Sequence, residues 1–512
     1  MMMTTANHEF FANAVAAQRA KPPTIVPHVI AGKKYFDGAL LKREDPSFPS
    51  VIVSGCHDAP AELVHLAVEK SREAQREWVK VPLKERIARV AKALDYVAGK
   101  IDDWTVRVAV EIGKTRVGAR AEATEVLEIL KFYTEYAGRP GAFEDEREAD
   151  PAGFANASVL RPYGVFGFIT PFNYPIVQAS GPTIAAIIAG NGMVIKATHD
   201  GPWSCHAVYE MCEAMDLPVG LVNIIHGADE PGRVLVASNV DGMSFTGSVA
   251  VGQEIIRQFN SGPYPRPVIA EMGGKNPVIV TDTADLEMAA DGIVFSAFDL
   301  VGQKCSALSR VIATPKAYER LVELVAERRQ KVVIAEPAVK DSFGGPLVNQ
   351  RAVQRFKQVV EQAKAGGYRV DGGQVLEQEG YFVEATVISG MPAEHELAVT
   401  EYFLPLVSIS KVDSFEDALT AANATSMGLT AGIYTGDAEE ARTFLREIEA
   451  GCVDVNVPGH ATTGWWPGPQ TFGGWKASGS TGKQALGKWY VQQFARQQSR
   501  KTVKDLAGLL SE

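Results

Sequence analysis

Between residues 163 and 271 the chain alternates short apolar runs with helix-forming stretches, and this rhythm restricts the fold more than any other feature. Residues 164–169, 193–195, 222–225, 243–245 and 268–270 read as strands. Residues 175–189, 204–215, 231–238 and 249–259 read as the helices between them, with Asn191-Gly192 ending the first. Strands separated by single helices of ~10–15 residues predict a parallel sheet covered on both faces. A second α/β run begins near residue 277, with a strand at 277–280 and helices at 285–299, 316–328, 350–365 and 415–424. The fold class is therefore α/β.

The flanks differ in character. Residues 1–58 are mixed and loop-rich. Over 60–137 the pattern is mostly helical: Ile87, Val90, Ala91, Leu94 and Val97 recur at helical spacing with Lys and Arg on the other face, and 122–136 repeats it. Acidic, turn-rich residues 139–153 interrupt, and extended runs follow. At 512 residues, 46% hydrophobic and 22% charged, the chain is a packed globular protein of about three domains rather than a disordered one.

A net charge of −10 opposes a nucleic-acid footprint, which needs a basic face. No run of 18 apolar residues is present, so a membrane span is not expected. The start carries Glu9 and lacks a basic stretch ahead of Phe10-Phe11, which opposes a secretory signal and predicts a cytoplasmic protein. Cys56, Cys205, Cys212, Cys305 and Cys452 are odd in number and form no C-x-x-C, so neither a disulfide framework nor a structural metal site is expected.

Several residues invite a chemical reading beside an ordinary one. Gly190-Asn191-Gly192 falls short of a dinucleotide fingerprint, and Trp489 spoils a phosphate loop at 482–488. Thr246-Gly247-Ser248 feeds a helix start that suits a phosphate, although serine there is also an ordinary cap. Free cysteines are usually small buried apolar groups. Cys305, in Gly302-Gln-Lys-Cys-Ser306, differs: the adjacent Lys304 is expected to lower its pKa. Glu271 ends an apolar strand, where it suits a buried base or a helix cap, and Gly273-Gly274 permits a close backbone approach. Asn173, in a proline-bounded turn, suits turn chemistry or an oxyanion donor.

The order of these motifs is more telling than any one of them. Asn173, Lys196, Phe245-Thr-Gly-Ser248, Glu271-Met-Gly-Gly-Lys275, Gly302-Gln-Lys-Cys305 and Glu401-Tyr-Phe403 follow one another, with Cys305 standing 34 positions after Glu271. The succession resembles the aldehyde dehydrogenase superfamily from about residue 30 to 500.

That resemblance implies that the Cys305 thiolate attacks an aldehyde, with Asn173 and the Cys305 backbone N–H holding the oxyanion. Hydride then passes to NAD or NADP, and Glu271 activates the water that hydrolyses the thioester. Lys196 would reach the adenosine ribose, Gly247 and Ser248 the pyrophosphate, and Glu401 the nicotinamide ribose, with Phe403 packed nearby. His199 stands where the family often has a glutamate against the ribose 2′-hydroxyl, which makes NADP more plausible.

The nearest subgroup resembles glutamate-γ-semialdehyde (1-pyrroline-5-carboxylate) dehydrogenases, through Cys305-Ser306, Thr462-Thr463-Gly464 and Gln470-Thr471-Phe472. Tyr174, Ser306, Gly464, Trp465 and Phe472 would line the substrate pocket. Trp465-Trp466 departs from the small residue expected after the glycine and would favour an aromatic or aliphatic aldehyde. A thiol esterase or hydrolase, separable by its independence of cofactor, and a binding protein without turnover are the competing readings.

The resemblance also implies an architecture. A Rossmann-like cofactor domain would cover 1–139 and 163–272, and an α/β catalytic domain 273–477. A small β bridging element from 140–162 and 485–510 would pair subunits into a homodimer or homotetramer through strand addition.

Overall fold

A computed structural model describes residues 5–145, 152–462 and 468–510. The alternating stretch forms a sheet whose strands Val165–Ile169, Gly192–Lys196, Val222–Ile225, Gly242–Gly247 and Val268–Met272 all pair in parallel. Val165, Phe166, Phe168, Val194, Ile195, Ile224 and Ile225 are all buried, as expected of a sheet with helices on both faces. Strands His28–Ile30 and Lys33–Tyr35 extend one edge in antiparallel fashion.

Strand order places the site. From Val165–Ile169 the chain steps outward to Gly192–Lys196 and Val222–Ile225, then returns to lay Gly242–Gly247 on the other side of Val165–Ile169. The carboxyl ends of Val165–Ile169 and Gly242–Gly247 therefore flank a topological switch point, where doubly wound sheets bind ligands.

The intervening helices start and stop for local reasons. Val177–Ala189 ends at Gly190 in a left-handed conformation (φ 99°), one residue before the predicted Asn191-Gly192 stop. Asn191 instead ties this corner together: its Oδ1 accepts from Gly164 N at 2.9 Å, and its Nδ2 donates to Phe494 O at 2.8 Å. Ser248 caps Val249–Asn260, and Asp285 caps Leu286–Phe298.

A second seven-stranded sheet follows, in the spatial order Arg369–Asp371, Thr386–Ser389, Leu406–Lys411, Leu308–Ala313, Asn276–Val280, Thr430–Tyr434, Cys452–Val455. It is parallel apart from the Arg369–Asp371 edge. Helices Leu286–Phe298, Pro315–Arg329, Gln350–Ala365 and Phe415–Asn423 lie within two residues of their sequence-based bounds. Apart from these sheets, Phe154–Pro162 pairs antiparallel with Ala495–Val503 along its whole length.

The N-terminal region is more regular than its sequence suggests. Helix Thr5–Arg19 buries Phe11 and Val15 in the same core as Trp104 and Val108, and Thr24–Val26, Leu40–Asp45 and Phe48–His57 form a small sheet. Among the described residues no helix is long and apolar enough to cross a membrane.

Candidate active site

A cavity of about 480 Å³ opens at the switch point. Asn173, Glu271 and Cys305 all line it, although they belong to three separate segments.

The Asn173 loop follows strand Val165–Ile169. Asn173 is buried, and its Nδ2 donates to the Gln303 carbonyl at 3.0 Å, which leaves one amide hydrogen for another acceptor. Gln303 is fixed in turn, because its Oε1 accepts from Val348 N at 2.9 Å.

Cys305 follows a strained turn. Leu300, Val301 and Gly302 all have positive φ, of 50°, 48° and 69°. Left-handed backbone costs a non-glycine residue about 1–2 kcal/mol. Gly302 is required here, since a Cβ would lie 2.1 Å from the Leu404 carbonyl oxygen. Beyond the turn, Asn276 Nδ2 donates to the Cys305 carbonyl at 2.7 Å and to Ala307 O at 2.9 Å, pinning the backbone that carries the thiol.

The expected influence of Lys304 is not found. Its ammonium turns to Asp299, away from the neighbouring thiol, because an ion pair competes with mere adjacency in the chain. Burial pushes the Cys305 thiol up to about 12, and the carboxylates of Glu401 and Glu271 add to the rise. The backbone N–H groups of Ser306 and Cys305 oppose it. Burial and the two carboxylates thus favour the thiol over the thiolate.

Glu271 ends strand Val268–Met272. Its Oε2 is buried without a hydrogen-bond partner, and burial raises the carboxyl pKa to about 8. The glycines after it admit a second carboxylate: a Cβ on Gly273 would fall 2.0 Å from Glu401 Oε2, and Gly274 N donates to Glu401 Oε1 at 3.1 Å. Burial raises Glu401 to about 7.

Lys196, His199, Gly247, Ser248 and Glu401 also line the cavity. Lys196 Nζ donates to the carbonyls of Gly227 and Ala228 at 3.0 and 2.9 Å, which leaves one of its three hydrogens. Ser248 is the helix cap its sequence suggested, with Val251 N donating to its Oγ at 3.4 Å, and it faces the cavity as well. Phe403, at φ 59°, meets the edge of Phe172 with ring centres 5.8 Å apart. The free N–H groups of the Val249–Asn260 helix start suit a pyrophosphate, and the Glu401 carboxylate suits ribose hydroxyls. These residues fit a dinucleotide.

Of the residues expected around the substrate, Tyr174 and Phe472 line the cavity. Ser306 is buried behind the wall, with its carbonyl accepting from Thr462 Oγ1 at 3.0 Å. Thr463, Gly464, Trp465 and Trp466 lie outside the described residues.

Sequence reasoning passed over Glu125, Tyr133, Arg355 and Tyr490, which also line the cavity. A signal was present for two of them. Glu125, Ile129 and Tyr133 fall at i, i+4 and i+8 of helix Arg116–Ala137, so a carboxylate interrupts an otherwise apolar stripe. Among the described residues no group of His, Cys, Asp and Glu is arranged to hold a metal ion.

Comparison with known proteins agrees with this geometry. The pattern of the aldehyde dehydrogenase family matches residues 38–500. The chain is 32% identical over 458 residues to the alpha-ketoglutaric semialdehyde dehydrogenase of Bacillus subtilis, covering 87% of this chain and 91% of that one. It is 31% identical over 488 residues to 1-pyrroline-5-carboxylate dehydrogenase 2 of the same organism, with 93% of each chain covered. The solved structure of a Thermus 1-pyrroline-5-carboxylate dehydrogenase with bound NAD superposes with a TM-score of 0.92 at 29% identity, covering 98% of each chain. The chain belongs to the aldehyde dehydrogenase family and is an NAD(P)-dependent oxidoreductase acting on aldehydes.

Proposed function

We propose that Cys305, Glu271 and Asn173 convert an aldehyde to its carboxylic acid in two half-reactions. The supporting observation is the buried, unpartnered Glu271 Oε2 in the same cavity as the thiol and the amide. Cys305 sulfur adds to the carbonyl carbon as its S–H proton passes to solvent water, and the new oxyanion accepts hydrogen bonds from the spare Asn173 N–H and the Cys305 N–H. Lys196, Gly247, Ser248 and Glu401 would hold NAD or NADP, which would supply the hydride acceptor. Loss of hydride from the thiohemiacetal carbon leaves a thioester on Cys305. Glu271, with a pKa near 8, takes a proton from water, whose oxygen replaces sulfur at the acyl carbon and releases the acid.

Glutamate-γ-semialdehyde is the proposed substrate, supported by the relatives named 1-pyrroline-5-carboxylate dehydrogenase. The aromatic lining from Phe172, Tyr174 and Phe472 favours a second reading, an aromatic or aliphatic aldehyde. Steady-state oxidation of a panel of aldehydes with each cofactor decides between them. A low kcat/KM for the semialdehyde beside high values for hydrophobic aldehydes would reject the first. Loss of turnover in C305A with cofactor binding retained is expected for the assigned nucleophile.

The domain boundaries proposed from the sequence are supported by where the two large sheets divide. The pairing of Phe154–Pro162 with Ala495–Val503 supports a bridging role for 140–162 and 485–510 in a homodimer or homotetramer. All five cysteines are free, which suits the cytoplasm.

A further inference from the structure

Glu401 lines two spaces, the main cavity and a second pocket of about 20 Å³. Lys275 lines that second pocket and also a third, of about 10 Å³, whose wall includes the exposed residue Glu449. Two buried hydroxyl oxygens mark these pockets. Ser309 Oγ belongs to the second and Thr430 Oγ1 to the third, and among the described residues neither has a hydrogen-bond partner. Volumes of this size admit about one water molecule each, and buried polar atoms without protein partners are commonly satisfied by one. The pockets share walls, so Glu401, Ser309, Lys275, Thr430 and Glu449 form a polar series from the cavity to the surface.

Lys275 is the unusual member. It is 5% exposed, and among the described residues no hydrogen bond or ion pair reaches its nitrogen. The charged groups acting on it are Arg310, which repels, and Glu401, which attracts, and the Tyr402 ring centre lies 5.8 Å away. Arg310 is spent on the carbonyls of Ala393 and Ala421, at 3.2 and 3.0 Å. Lys304 also lines the second pocket but is held by Asp299, and Glu449 is held by Lys476. Arg355 acts on Glu401 from the cavity. Burial and Arg310 lower the Lys275 pKa to about 7, and burial raises that of Glu401 to about 7. A proton therefore moves between the two at little cost in free energy.

We infer that Lys275 carries protons from Glu401 to solvent, as the central member of an exit route for the proton that Glu271 takes from water. The inference rests on the aldehyde oxidation proposed above and assigns a residue to its proton release. Glu271 passes its proton through water in the cavity to the Glu401 carboxylate. The Glu401 O–H bond then breaks as water beside Ser309 delivers the proton to the neutral Lys275 amine. The resulting ammonium gives it up past Thr430 to solvent at Glu449. Only the proton changes place, and Glu271, Glu401 and Lys275 end each turnover as they began. A carboxylate accepts at several positions, so this traffic is compatible with a grip on ribose hydroxyls.

The test compares Lys275→Met and Lys275→Arg with the unaltered enzyme. In Lys275→Met kcat should fall by about 10², the low end of what a positioned proton carrier supplies, while the first NAD(P)H burst keeps its rate. Imidazole added at constant pH and ionic strength should restore much of the loss. Lys275→Arg keeps the charge but does not release its proton, so it should be as slow as Lys275→Met and as responsive to imidazole. An active arginine variant, or a slow methionine variant that imidazole does not quicken, overturns the inference, because lysine would then supply charge to Glu401 and nothing more. Thr430→Val, which preserves shape, keeps the test open if the lysine variants fail to fold: an imidazole-dependent loss of kcat supports the route, and an unchanged kcat overturns it. Absence of turnover with any aldehyde in the unaltered enzyme would instead reject aldehyde oxidation itself.

Discussion

The Asn173 side chain donates to the carbonyl of Gln303 at 3.0 Å, two residues before Cys305. A single amide thus fixes the spacing between the loop that carries the proposed oxyanion donor and the loop that carries the proposed nucleophile. Its second hydrogen is left for substrate.

Replacing Asn173 with alanine removes both the donor and the tether. We expect kcat to fall by about 10²–10³, the range for loss of one oxyanion-hole donor, with a smaller change in KM. Alkylation of Cys305 by iodoacetamide should also change in rate, because its loop loses its tether. Steady-state kinetics and a labelling time course give both numbers, and an unaltered kcat would remove Asn173 from the mechanism.

Glu271 should control the second half-reaction alone. In Glu271→Gln the thioester forms but does not hydrolyse, so NAD(P)H appears as a burst of about one equivalent per active site and then stalls. Mass spectrometry should find Cys305 acylated. A base is active only when deprotonated, so in the unaltered enzyme hydrolysis should quicken as pH rises through about 8 and slow below it. Steady turnover in Glu271→Gln would mean that another group activates the water.

How much of this was legible follows from what sequence encodes. Periods of 2 and 3.6 are local, and the strands and helices from residue 163 onward emerge close to where they were read. Ser248 is legible for the same reason, since a cap acts within three residues. The direction of a long side chain is not local. Lys304 adjoins Cys305 in the chain yet pairs with Asp299. Helix Thr5–Arg19 has only a weakly amphipathic sequence and takes its place by burying Phe11 and Val15 against Trp104, a distant residue. Glu125 leaves a partial signal, a carboxylate in the stripe that holds Ile129 and Tyr133, but the stripe alone does not say whether it meets a cavity or a closed core.

The Lys114–Glu122 pair should matter for stability chiefly when it is broken. Lys114→Met leaves an ionised carboxylate enclosed with no counter-charge, a loss of about 3–5 kcal/mol. The double variant Lys114→Met, Glu122→Gln should regain most of that, because a glutamine oxygen can still accept from Ile176 N and Val177 N. Urea titrations of the single and double variants measure the difference. Equal destabilisation in both would show that packing, rather than the orphaned charge, sets the cost.

His199 offers the sharpest test of cofactor choice. It lines the cavity with Lys196, at the end assigned to the adenosine ribose. Lys196 has one hydrogen left after its two carbonyl bonds, enough to meet a single phosphate oxygen. An imidazole at 199 adds no carboxylate against a 2′-phosphate, which leaves Asp229 as the acid lining the cavity beside Lys196. His199→Glu introduces one, and at a few ångströms in a partly screened site the repulsion amounts to about 1–2 kcal/mol. The ratio of KM for NADP to KM for NAD should therefore rise by about tenfold, with kcat for NAD nearly unchanged. Titrating each cofactor at saturating aldehyde measures this, and an unmoved ratio would place the ribose 2′ position away from residue 199.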